Sequence, residues 1–90
     1  MNAATLAAAL DLADSATTLR EAAAALRSRF APLRVMAVDA ADMRDEKPAA
    51  AGTRRALYLG ASDGHCWRVT AEADVVAGLF IADRDAGERP

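Results

Sequence analysis

The segment Ala56-Leu57-Tyr58-Leu59-Gly60-Ala61, followed by Ser62-Asp63-Gly64 and then His65-Cys66-Trp67-Arg68-Val69-Thr70, decides how this chain folds. Two runs rich in strand formers flank a turn signal, which predicts an antiparallel hairpin. Its register follows from loop length. A two-residue Asp63-Gly64 loop sets Leu59 opposite Arg68 and Gly60 opposite Trp67, mixing large apolar with charged or empty positions on each face. A three-residue Ser62-Asp63-Gly64 loop, a type I turn with Gly64 at φ > 0, pairs Leu57 with Val69, Leu59 with Trp67 and Ala61 with His65. On that register the large apolar side chains share one face and Trp67 is buried. Tyr58, Gly60, Cys66, Arg68 and Thr70 then lie on the other.

Working outward, the 90 residues suffice for one domain with a modest core. The hydrophobic fraction of 53% overstates that core, since much of it is Ala and aromatics make up only 4%. A net charge of -2 argues against nucleic acid as a partner, because duplex binding needs a clustered positive field. One cysteine cannot form an internal disulfide. The first twelve residues lack a basic leader, and no run approaches the length of a membrane span. These features lead to the expectation of a cytoplasmic protein with no membrane contact.

On the N-terminal side, Leu6, Leu10 and Ala13 fall on one face of an Ala-rich helix over Ala4 to Ala13. A capping box, Thr18-x-x-Glu21, precedes a second helix with an apolar stripe of Leu19, Ala22, Ala23, Leu26 and Phe30, stopped by Pro32. Leu33 to Val38 reads as a strand suited to the middle of a sheet. The acidic run from Asp39 to Glu46 holds one large apolar residue, Met43, and Asp39 is placed to cap a single helical turn. Lys47 to Arg55 lacks both periodicity and anchors and reads as a mobile loop.

Beyond the hairpin, Thr70 caps an expected short helix over Ala71 to Ala77, with Gly78 as its stop, and Leu79 to Ala82 forms a last strand. The expected class is α+β: two N-terminal helices on one face of a four-stranded, mainly antiparallel sheet with a central hairpin. Residues 1–83 make one domain and 84–90 a frayed tail.

Leu57-Tyr58-Leu59, Gly64-His65-Cys66-Trp67-x-Val69-Thr70 and Ala77-Gly78-Leu79-x-x-Ala82 together resemble a set of short uncharacterised bacterial proteins, some encoded near nitrogen-fixation genes. The resemblance covers roughly residues 26 to 83. It implies a bacterial, cytoplasmic, single-domain protein and carries no activity with it.

Chemistry-bearing residues are few. His65 and Cys66 are neighbours on a strand and point to opposite faces, so they form no thiolate–imidazolium pair, and the chain has no other His. Asp63, His65 and Cys66 supply no recognised metal-ligand spacing. Asp39, Asp42, Asp45 and Glu46 lack the central Gly of a calcium loop and read as a solvated acidic turn. Gly60, Gly64 and Gly78 form no phosphate-binding fingerprint, so no cofactor is expected. Tyr58 among Arg54, Arg55 and Arg68 is a faint version of an RNA-binding sheet.

The expectation is therefore a non-catalytic interaction or accessory domain, a homo-oligomer or the binder of a protein partner. Its contact surface would be an uncovered sheet face carrying Tyr58, Cys66, Arg68 and Phe80. The alternative is a small ligand- or metal-sensing domain using Asp63, His65 and Cys66 near the hairpin tip.

Overall fold

Helix α1 (Ala3–Ser15) is capped by Asn2, which accepts the Thr5 N–H on Oδ1 at 2.8 Å, and so starts one residue ahead of the expected Ala4. Helix α2 (Leu19–Arg29) begins at Thr18, whose Oγ1 accepts the Glu21 N–H at 3.1 Å, so the hydroxyl arm of the capping box forms. Its expected stripe is the buried face: Ala22, Ala23 and Leu26 are inside, with Leu19 and Phe30 half-buried beside them. A computed structural model describes residues 1–84 of the chain.

Five strands follow, in one mixed sheet: β1 (Arg34–Ala37), β2 (Ala50–Ala51), β3 (Arg55–Ser62), β4 (Trp67–Val69) and β5 (Gly78–Asp83). The class is α+β as expected, but the sheet is neither four-stranded nor purely antiparallel. β5 lies between β1 and β3, parallel to the first and antiparallel to the second. The apolar run Leu79-Phe80-Ile81-Ala82 suits that placement: Leu79 and Ile81 face the helices, while on the reverse Ala82 packs with Met43 and Phe80 meets the Trp67 ring. β1, expected to be central, is instead an outer strand. Leu57 pairs with both Ile81 and Ala50, and Gly60 with both Gly78 and Val69, so β2 and β4 follow one another along the side of β3 away from β5.

Gly78 is no helix stop. It opens β5 opposite Arg34 and Gly60, and the helix expected over Ala71 to Ala77 shrinks to a 3-10 turn at Ala73–Val75. Thr70 still acts locally, accepting the Glu72 N–H at 3.1 Å. The core between helices and sheet is built from Ala9, Ala13, Ala22, Ala23 and Leu26 against Val35, Leu57, Leu59, Leu79 and Ile81.

The hairpin forms, and Gly64 takes the expected positive φ of 98°. Its register differs. Val69 lies opposite Gly60, three residues along from the expected Leu57. The cause is the Asp63 carboxylate: its Oδ1 accepts the N–H groups of His65 and Cys66, each at 2.9 Å, and stretches the loop to Asp63–Cys66. A shift by an odd number exchanges faces, so Trp67 and Val69 join Tyr58 and Phe80, while Arg68 moves to the parity of Ala61. Trp67 is accordingly half-buried rather than buried.

What makes that face suitable for an indole is the cross-strand pair Gly60 and Gly78. The Trp67 ring lies across both: a Cβ at Gly60 would stand 3.3 Å from Trp67 Cε3, and one at Gly78 would stand 3.2 Å from Trp67 Cη2. Its edge then meets the Phe80 ring at a centroid distance of 6.4 Å and 85° between planes. Glycines that weaken a strand by lacking side chains are thus roofed by an aromatic from the neighbouring strand.

The segment Lys47 to Arg55, expected to be unanchored, is tied down at both ends. Ala50 and Ala51 pair with β3, and Asp14 near the end of α1 accepts three successive backbone N–H groups, from Thr53 at 3.1 Å, Arg54 at 2.7 Å and Arg55 at 2.8 Å. The Arg54 amide first, with those of Arg55 and Thr53, holds the Asp14 carboxyl below the usual aspartate range against the opposing effect of burial. Gly52 permits this approach, since a Cβ there would stand 2.7 Å from Asp14 Cγ. Arg84, assigned to the frayed tail, is held in place: its N–H donates to Arg54 O at 2.9 Å and its Nη1 to Gly52 O at 2.6 Å. The remainder of that expected tail, 85–90, lies outside the described residues.

Two substitution series test this account. At Gly78 an added Cβ would meet the Arg34 carbonyl oxygen at 2.7 Å, whereas at Gly60 the closest contact is the movable Phe80 ring at 3.1 Å. Gly78→Ala should therefore cost about 2 kcal/mol or more in urea denaturation, and Gly60→Ala clearly less. For Asp14, removing the acceptor of three amides in Asp14→Ala should cost about 2 kcal/mol, with Asp14→Asn intermediate and Asp11→Ala near neutral. Because the folded carboxyl titrates below the unfolded value of 3.8, its contribution is full above that pH and fades as acidification passes through the lower folded value. The wild-type protein should lose stability over that acid range more steeply than Asp14→Asn.

Candidate functional site

Among the described residues the sheet carries α-helices on one face only. On the other, Tyr58 and Phe80 sit side by side as a cross-strand pair, opposite in parity to Leu57, Leu59, Leu79 and Ile81, as the alternation of β3 and β5 predicts. Cover on this face is unequal. At one end the 3-10 turn Ala40–Met43 folds over, and Met43 packs with Ala56, Tyr58 and Ala82, so Tyr58 is only 7% exposed. The acidic residues around that turn, Asp39, Asp42, Asp45 and Glu46, all remain exposed, which leaves Met43 as the side chain that holds it down. At the other end no element among the described residues covers Met36, Phe80 and Trp67, and each is half-exposed.

The expected contact surface is thus redistributed. Phe80 stays on the open part of the face. Tyr58 is sealed beneath Met43, Cys66 is an exposed residue of the hairpin loop, and Arg68 is exposed with the opposite parity. Trp67 and Met36 take their places. The signal that would have identified Trp67 was the pair of glycines at matched positions of β3 and β5, since an empty pair on one face calls for a large ring from a neighbour.

At the hairpin tip one member of the alternative ligand set, Asp63, is engaged in the turn itself. Asp63 Oδ1 is occupied by the His65 and Cys66 amides, its N–H donates to Cys66 O at 3.3 Å, and the Cys66 amide first, then that of His65, lowers the carboxyl below its ordinary range. His65 and Cys66 are exposed. Among the described residues no three His, Cys, Asp or Glu side chains converge on a point where a metal ion would sit.

A third place was not anticipated. A groove of about 1070 Å³ runs between the start of α2 and the β2–β3 corner, walled by Thr17, Thr18, Thr53, Arg54, Arg55 and Arg84. Arg55 is buried at 3% exposure, donates from Nη2 to Ala16 O at 3.2 Å, and sets Nε 2.9 Å from Asp83 Oδ1 as an ion pair. Arg54 reaches Thr17 O from Nη2 at 3.1 Å. These arginines bind the α1–α2 link to the first residues of β3. Their role was hidden because the anchoring partner, Asp14, lies about forty residues away in sequence.

A family model described as a family of unknown function, DUF6129, matches residues 8–84. No curated protein and no solved structure matches the chain. The match begins within α1 and closes on Arg84, so it takes in α2, all five strands and both partners of the Asp14 corner. The chain belongs to this family of unknown function, DUF6129.

Proposed function

We propose that this domain is a non-catalytic interaction module whose partner is a second copy of itself, bound through the open end of the sheet. The observation that carries the reading is the row of Met36, Phe80 and Trp67, half-exposed on a face that has helices only on its reverse. Large rings at such positions are the residues that contribute most to protein contacts. Face-to-face packing of two sheets about 10 Å apart would cover all three at once around a two-fold axis.

Pairing by strand edges has less to recommend it. Arg27 of α2 donates from Nε and Nη2 to the outward-facing Val35 carbonyl, at 3.1 and 2.9 Å, which occupies the outer edge of β1. On the other side the edge is divided between β2, two residues long, and β4, three residues long. No helix among the described residues is long and apolar enough to cross a membrane. A lone exposed thiol suits a reducing compartment, and the proposal places the dimer in the cytoplasm.

Multi-angle light scattering on the wild-type chain and on Met36→Lys/Phe80→Lys tests the reading. The wild type should elute as a dimer and the variant as a folded monomer with an unchanged far-UV circular dichroism spectrum. Trp67 emission should shift to longer wavelength when the dimer dissociates. A monomeric wild type at high micromolar concentration, or a dimer that survives both lysines, refutes it.

A further inference from the structure

We infer that the groove between α2 and the β2–β3 corner binds the phosphate group of a small phosphorylated molecule. It lies on a different part of the chain from Met36, Phe80 and Trp67 and stands independently of the dimer. The first consideration is charge. Arg54 and Arg84 each spend one guanidinium nitrogen on a backbone carbonyl, Thr17 O and Gly52 O, which fixes the planar fork without neutralising it. Among the described residues no carboxylate lies within ion-pair distance of either guanidinium, since the one ion pair here joins Arg55 to Asp83.

The nearby carboxylates temper that charge without cancelling it. Asp83 lines the groove and pairs with Arg55, Asp14 is held by three amides and also feels the Arg54 charge, and Glu21 lies in the first turn of α2 without lining the groove. Among the described residues Arg54, Arg55 and Arg84 thus line the groove against one carboxylate, Asp83, in a chain whose net charge is -2. Such a local concentration is specific rather than part of a general positive field.

Donor geometry is the second consideration. Helix α2 is 11 residues long, and its cap Thr18 accepts the Glu21 N–H on Oγ1, which leaves the Leu19 and Arg20 amides as the open N–H groups of the helix start. Thr17 and Thr53 add hydroxyls from the two sides of the groove. On the same wall the buried Arg55 is held in place by Asp83, Nε to Oδ1 at 2.9 Å, and by the Ala16 carbonyl.

Donors approach from two elements across a gap, which suits a tetrahedral oxyanion with oxygens directed to both sides better than a planar carboxylate. The volume of about 1070 Å³ leaves room for the organic remainder of a phosphate monoester. Three arginines with a carboxylate among them are too few for a nucleic-acid backbone.

The test is a titration of ¹⁵N-labelled protein with inorganic phosphate and with glycerol phosphate, against chloride at matched ionic strength. Both should shift the amides of Leu19, Arg20, Thr53 and Arg54, and glycerol phosphate should bind at least as tightly as the inorganic ion. Arg54→Gln/Arg84→Gln should weaken both by about tenfold or more. If circular dichroism shows that the double variant is unfolded, Arg54→Lys, which keeps the charge and loses the fork, should still weaken binding several-fold. Shifts no larger than those in chloride, affinity unchanged in the folded variants, or a short single-stranded RNA binding in preference to both phosphates would overturn the assignment.

Discussion

One carboxylate joins the two halves of this molecule. Asp14, near the end of α1, gathers the N–H groups of Thr53, Arg54 and Arg55 at the point where the chain enters β3. Those donors belong to the start of the longest strand, which carries β5 on one side and both β2 and β4 on the other. Fixing that entry sets the height of β3 against the helices, and hence which of its residues face α1 and α2. The arginines that follow reinforce the joint by reaching back to Ala16 O and Thr17 O, carbonyls of the short link between α1 and α2. A joint made of backbone donors, one anion and two guanidinium groups needs no large apolar side chain, which suits a chain so rich in alanine.

The sheet resolves a shortage of bulk in a related way. β3 and β5 meet at Gly60 and Gly78, a pair with no side chains, and the space is filled from outside by Trp67. The ring is therefore both part of the packing and part of the surface. Its half-exposure follows from lying on top of a sheet rather than between two layers. Met43 performs the complementary task at the other end of the face, where a short acidic turn is folded inward by one apolar residue.

Much of the fold was legible because its determinants are local. The capping residue and apolar stripe of α2, the positive φ at Gly64, and the shared parity of Tyr58 and Phe80 each depend on residues close together in sequence or on the alternation of a strand. The parts that were not legible depend on single polar groups or on distant partners. Asp63 accepts two amides and lengthens the hairpin loop, and that alone moved Trp67, Val69 and Arg68 to the opposite faces. Ala50 and Ala51 carry no strand signal, and they pair because Asp14 and Gly52 bring them alongside β3. The candidate sites followed the same division: Phe80 was found by alternation, while Met36 required the parallel pairing of β1 with β5, and the arginine groove required the Asp14 contact.

The position of β5 has a consequence for the order in which the protein is made. Among the described strands, the last to leave the ribosome is the one inserted between β1 and β3, which by then have been synthesised and have no hydrogen bonds to each other. Until residue 83 is free, both strands present bare edges toward the vacant place, and the helices lack Leu79 and Ile81, two of the five buried residues of their apolar floor. Nascent chains that stall before that point carry the aggregation hazard of two open strands, and the sheet closes in a single late step that joins residues more than forty positions apart.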